Sequence, residues 1–151
     1  MNSAPLSPNA HVPPSSVRVL LVEDQVDARE VYELLLRGRG AHVVAVGSVR
    51  EARAQLDRAL FDVLVSDIGL PEESGYDLIN YVRASAAALP AIAITAFGGI
   101  EERVRAIEQG FDVFLAKPFR ADDLWAAVDS VVRRRPLSSG DERSGDATLQ
   151  S

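Results

Sequence analysis

The chain has 151 residues, 47% hydrophobic and 25% charged, with 22 acids against 16 Lys and Arg and a net charge of −6. That length suits one domain around one core, and the acidic balance argues against nucleic-acid binding, whose affinity comes largely from Lys and Arg. The absence of Cys excludes disulfides, thiolate nucleophiles and cysteine-based zinc sites; with no apolar run near the roughly 18 to 20 residues of a membrane span, the sequence reads as cytoplasmic and unexported.

Residues 1–16 carry Pro5, Pro8, Pro13 and Pro14 without apolar periodicity and are expected to be a disordered arm. Val17 to Val22 (VRVLLV) is a continuous apolar run, the signature of a strand buried on both faces. It stops at Glu23 and Asp24, and from Asp27 the residues Ala28, Val31, Leu34 and Leu35 form a helical stripe that Gly38 or Gly40 can end. Val43 to Val46 reads as a second strand, and Ser48 with Glu51 as a capping box opening a helix with Ala52 and Leu56. Phe61 to Val65 is the third strand, followed by a loop containing Asp67 and a helix with Leu78, Ile79 and Val82. Ala91 to Ile94, ending at Thr95, is the fourth; Gly98 and Gly99 precede a helix with Val104 and Ile107 that Gly110 closes. Val113 to Ala116, ending at Lys117 and Pro118, is the fifth, and Leu124, Ala127, Val128 and Val131 stripe a last helix. Beyond it, 135–151 is expected to be a disordered tail, leaving one domain over 17–134. Strands alternating with helices at intervals of roughly 20 residues predict parallel strands covered on both faces. The expected fold is α/β, a doubly wound five-stranded parallel (βα)5 sheet of flavodoxin-like type with strand order 2-1-3-4-5.

Parallel strands all end at one edge, so Glu23, Asp24, Asp67, Thr95 and Lys117 converge there, and only strand two, passing into Gly47, brings no such group. Ligands of open α/β sheets bind outside the carboxyl ends at the switch point, here between strands one and three. Those strands deliver the three carboxylates. Two like charges about 4 Å apart at an effective dielectric near 20 cost roughly 4 kcal/mol, a conflict that a hard divalent cation removes. All-oxygen ligation with room for water points to Mg²⁺. Asp67 is then the candidate nucleophile, since a carboxylate can take a phosphoryl group as an acyl phosphate, with Lys117 as a second cation and Thr95 as a hydroxyl donor. Taken singly, each residue has an ordinary structural reading; the order of the set along the chain carries the chemistry.

At these residues the chain resembles the receiver domain of two-component response regulators, including those attached to hybrid sensor kinases: VEDQ with Glu23 and Asp24, SDIGLPEESG with Asp67, Pro71 and Gly75, ITA with Thr95 and Ala96, and FLAKPF with Phe114, Lys117 and Pro118. The resemblance implies that Asp67 accepts phosphate from a sensor histidine kinase or a histidine phosphotransfer protein. It implies Mg²⁺ held by Asp24, Asp67 and the Gly69 carbonyl, with Glu23 acting through water, and a cis Lys117-Pro118 bond. It also implies a switch in which Thr95 moves toward the phosphoryl group and the Phe114 ring turns inward, altering a face of helix four, strand five and helix five that binds a downstream protein or a second copy. The chain is then a phosphoacceptor relay or adaptor rather than an enzyme, with neither nucleic acid nor membrane as partner. A phosphorylation-independent receiver-like scaffold is the alternative. A phosphohydrolase of the haloacid dehalogenase type would need a second acid where Gly69 stands, and a dinucleotide-binding module would need a G-x-G-x-x-G turn where the chain has acids.

Overall fold

The apolar runs become five short parallel strands, the central β1, β3 and β4 buried from both sides and the edge strands β2 and β5 half-buried, and the polar residues that interrupt them set where the helices begin. The computed structural model describes residues 17–134; the predicted arm, 1–16, and tail, 135–151, lie outside the described residues. In chain order the elements are β1 (Arg18–Val22), α1 (Val26–Arg37), β2 (His42–Val46), α2 (Val49–Arg58), β3 (Val63–Asp67), α3 (Gly75–Ser85), β4 (Ala91–Thr95), α4 (Ile100–Gln109), β5 (Val113–Ala116) and α5 (Ala121–Arg134). The strands form one sheet in the order β2-β1-β3-β4-β5, all parallel, as the alternation predicts.

Strand side chains alternate between faces. Leu20, Val22, Leu64, Ala93 and Phe114 face a core closed by Val49 and Ala52 of α2, Leu78 and Ile79 of α3, and Ala106 of α4. Val19, Leu21, Val65, Ile92 and Ile94 face a second core closed by Leu36 of α1 and by Leu124, Val128 and Val131 of α5. With α1 and α5 on one side and the other helices opposite, the winding reverses between β1 and β3, which places a crevice at their carboxyl ends.

Three local expectations are corrected. The third strand runs over Val63–Asp67, two residues later than predicted. Asp62 instead caps the start of β1, exchanging N–H groups with Arg18, and Ser66 and Asp67 stay paired to Ala93 and Ile94 of β4. A polar end need not end a strand when its side chains find partners inside. The stripes assigned to α1 and α4 point outward at several positions: Val31 is 51% and Leu34 70% exposed, and Val104 and Ile107 are 47% and 44% exposed. In α1, Ala28 and Leu35 of the expected stripe are half-buried, and Tyr32 and Leu36, one and two turns after Ala28, join them on the covered side. Finally, Ser48 caps α2 by accepting the Glu51 N–H (3.1 Å), but Glu51 returns to the N–H of Gly47 (2.8 Å) rather than to that of Ser48. The reciprocal capping box occurs at α3, between Ser74 and Asp77.

That α3 start bears on the site directly. The Gly75 N–H donates to the Ile68 carbonyl at 2.8 Å, and a Cβ on Gly75 would lie 2.5 Å from the Asp67 carbonyl oxygen and 2.8 Å from the Ile68 Cα. Both obstacles are main chain and cannot swing away. Gly75→Ala should therefore destabilise the protein by about 1–3 kcal/mol in urea denaturation. Gly69→Ala, whose Cβ would meet only Asp67 Oδ1 at 3.8 Å, should stay within about 0.5 kcal/mol of the parent.

Candidate functional site

The site is built on the ends of three strands. Glu23 follows β1 and is fully buried; its Oε2 accepts the Gln25 N–H (3.0 Å) and its Oε1 accepts from Lys117 Nζ (2.8 Å). Asp67, the last residue of β3, is 6% exposed; its Oδ1 accepts the Gly69 N–H (2.8 Å) and its Oδ2 accepts from the same Nζ (2.7 Å). Lys117 comes from the end of β5, which is hydrogen-bonded to β4 through its own N–H and the Thr95 carbonyl (2.7 Å). One ammonium thus bridges carboxylates 44 residues apart in sequence, and the Lys117-Pro118 bond that follows is cis.

The third acid, Asp24, is half-buried and accepts a longer hydrogen bond from the Gln25 side chain (3.3 Å). Glu23, Asp24 and Asp67 each offer a carboxylate oxygen within 4.8 Å of the others. With all three ionised, three negative charges face one ammonium, and the two left over match one divalent cation. The donors are all oxygen, the set that suits a hard ion. The residues therefore fit the group that the sequence reading implied.

The electrostatics are those of a crowded acidic crevice. Burial pushes the Glu23 carboxyl up, the hydrogen bonds from Lys117 and the Gln25 N–H pull it down, the Asp67 charge raises it again, and the net direction is upward. Burial acts to lower Lys117, but its hydrogen bonds to Asp67 and Glu23 outweigh this and hold the ammonium above the ordinary lysine range.

Thr95 ends β4 beside Asp67, 1% exposed, with its Oγ1 accepting the Phe97 N–H (3.1 Å). Phe114 lies away from the crevice, in the core beneath α4, already turned inward at 5% exposure, with the Arg103 guanidinium 5.5 Å over its ring. The structure thus joins Glu23, Asp24, Asp67 and Lys117 at one point, with Thr95 at its edge and Phe114 behind. Two residues escaped the sequence reading. The Tyr32 ring lies 5.8 Å from Lys117 Nζ and 5.1 Å from the Phe119 ring, and Arg29 Nη1 donates to the Glu23 carbonyl (3.0 Å). Their signal in the sequence is faint: a cation and an aromatic where α1 turns toward the sheet.

A model of the response regulator receiver domain matches residues 19–129. Over 118 residues the chain is 35% identical to the virulence transcriptional regulatory protein PhoP of Salmonella typhimurium, a match covering 78% of this chain and 53% of that one. Over 119 residues it is 32% identical to the cell cycle response regulator CtrA of Brucella ovis, covering 78% and 51%. The chain spans about half the length of these curated relatives. Among solved structures, the non-phosphorylated HemR receiver domain of Leptospira biflexa superposes with a TM-score of 0.74 at 30% identity, covering 80% of this chain and 98% of that one. The chemotaxis response regulator CheY4 of Vibrio cholerae gives 0.72 at 27% identity, covering 76% and 98%. A family model that spans the whole sheet, and an acidic crevice at the edge where a doubly wound sheet places its ligands, lead to one conclusion: the chain belongs to the response regulator receiver domain family.

Proposed function

We propose that Asp67 accepts a phosphoryl group from the phosphohistidine of a sensor histidine kinase or a histidine phosphotransfer protein, and that the altered site changes a protein-binding face made by α4, β5 and α5. The observation that carries this reading is the Lys117 ammonium shared between Glu23 and Asp67 at 2.8 and 2.7 Å. In the transfer, an Asp67 carboxylate oxygen forms a bond to phosphorus as the bond from phosphorus to the histidine nitrogen breaks, and the imidazole leaves with that electron pair. Lys117 is placed to follow the new negative charge from the carboxylate to a phosphoryl oxygen. The Thr95 oxygen accepts the Phe97 N–H, so its own proton is available to a phosphoryl oxygen. Bound Mg²⁺, held by Asp24, Asp67 and the Gly69 carbonyl with Glu23 through water, would supply positive charge against both the carboxylates and the incoming phosphoryl group.

Support for the output face comes from α4, where Ile100, Val104 and Ile107, preceded by Phe97, leave apolar side chains 44–71% exposed. Exposed apolar side chains gathered along one helix favour a protein partner or a second copy over solvent. Incubation with acetyl phosphate and Mg²⁺ should add one phosphoryl group to the intact mass; Asp67→Asn or a chelator should abolish it. Labelling of the Asn variant equal to that of the parent would overturn the assignment. Lys117→Ala should keep its far-UV spectrum while losing the amide shifts that a beryllofluoride mimic induces in the parent.

The crevice also sets a pH dependence. The folded-state pKa of Glu23 lies above its unfolded value, so the stability it contributes is fully present below about pH 4.5 and is lost as pH rises through the folded value. Glu23→Gln removes that loss. In metal-free buffer the variant's stability relative to the parent should rise from pH 4 toward neutrality; a flat difference would count against a strained Glu23.

A further inference from the structure

Strand two is the exception at the carboxyl edge, since it ends at Val46 and passes into Gly47 without a polar side chain. The structure fills that place from another element. Arg29 reaches from α1 so that its Nη1 donates to the Glu23 carbonyl at 3.0 Å, and a Cβ on Gly47 would stand 2.7 Å from Nη1 and 3.8 Å from Cζ. The guanidinium therefore lies against the Gly47 main chain. Backbone conformation does not demand glycine there, because among the described glycines positive φ occurs at Gly40 and Gly110. What requires glycine at 47 is the space taken by Arg29.

From these contacts we infer that Arg29 is a positioning residue for the cation site, acting through the Glu23-Asp24 peptide, and that Gly47 is the gap through which it acts. This rests on reading Glu23, Asp24 and Asp67 as a cation site. The Glu23 main chain is held at both ends, its N–H by the Val46 carbonyl (3.0 Å) and its carbonyl by Arg29. Its carbonyl shares a rigid plane with the Asp24 N–H, so fixing one sets the direction in which Asp24 leaves. Asp24 needs this most, since its carboxylate has the weak 3.3 Å contact to Gln25, whereas the Glu23 and Asp67 carboxylates are held by Lys117 and by main-chain N–H groups. A cation near the amino end of a helix opposes the helix dipole, so Arg29 stands where α1 alone gives it no advantage.

Charge and position predict opposite signs. As a bare positive charge Arg29 would weaken binding of another cation, and its removal would tighten Mg²⁺. As a positioning residue its removal weakens Mg²⁺. The obstacle met by a Gly47 Cβ is the end of a flexible side chain, so Gly47→Ala should fold normally and push Arg29 aside without changing the net charge. Calorimetric titration of Mg²⁺ into the full chain should show roughly tenfold weaker binding for Arg29→Ala and Gly47→Ala, the usual cost of losing a group that orients a metal ligand. Arg29→Lys should recover part of the loss, and the loss should persist in high salt, where a through-space charge effect is screened. The double variant should bind no more weakly than Arg29→Ala, because the added methyl then meets only Glu51 Oε1, at an ordinary contact distance of 3.7 Å. Equal or tighter binding by Arg29→Ala, or additive losses in the double variant, would overturn the inference. If the parent binds Mg²⁺ no better than Asp24→Asn, the cation-site reading fails instead. Hydrogen exchange without metal then decides the clamp by itself: faster exchange at the Asp24 and Gln25 amides in Arg29→Ala supports it, and unchanged exchange overturns it.

Discussion

The Lys117 ammonium between Glu23 and Asp67 is the contact on which the carboxyl edge depends. A parallel sheet sends every strand end to the same side, and in this chain two of those ends, of β1 and β3, bring three acids between them. Two carboxylates 4 Å apart at an effective dielectric near 20 repel by roughly 4 kcal/mol. The crevice is tolerable because β5 returns a cation to it from the far side of β4. The Lys117 side chain is 20% exposed, and its ammonium cannot turn to water without leaving the fully buried Glu23 only the Gln25 N–H as a partner. The edge is therefore under tension in both directions, short of positive charge yet unable to release the charge it has.

The same arrangement bears on how a change at Asp67 could travel. Lys117 and Thr95 are joined through their main chains, N–H to carbonyl at 2.7 Å, so the ends of β4 and β5 are tied beside the crevice. Phe114 lies three residues before Lys117 and is already packed inward beneath Arg103. Phe97 and the outer face of α4 carry apolar side chains into solvent.

Much of this was legible in the sequence, for a physical reason. A strand buried on both faces must be apolar along its length, so the runs and the polar residues that end them survive as a pattern that needs no tertiary information. That pattern located all five strands, their order and the four side chains that meet at the crevice. It failed where tertiary partners override local character. Ser66 and Asp67 remain in β3 because β4 and Lys117 satisfy them, and local polarity cannot reveal that. On α1 the apolar residues are spread around the helix, and the long side chains of Arg29 and Tyr32, not Val31 and Leu34, turn to the sheet. Periodicity counts apolar residues; it does not register an amphipathic side chain laid along a core to bring its tip to a polar edge.

Glycine placement joins the fold to the site by the same logic at two points. At Gly75 a missing side chain lets the start of α3 close on the main chain of Asp67 itself, and at Gly47 it lets Arg29 reach the main chain of Glu23. Each glycine precedes or opens a helix whose first turn is capped by a serine, Ser74 or Ser48, so the close approach is anchored by hydrogen bonds rather than by bulk. The two differ in what a methyl would meet. At 75 it meets main chain and the fold must yield; at 47 it meets the end of a side chain and only the contact must yield. A residue chosen for its lack of atoms can thus serve stability at one strand end and geometry at the next, and only the identity of the obstructing atom separates the two roles.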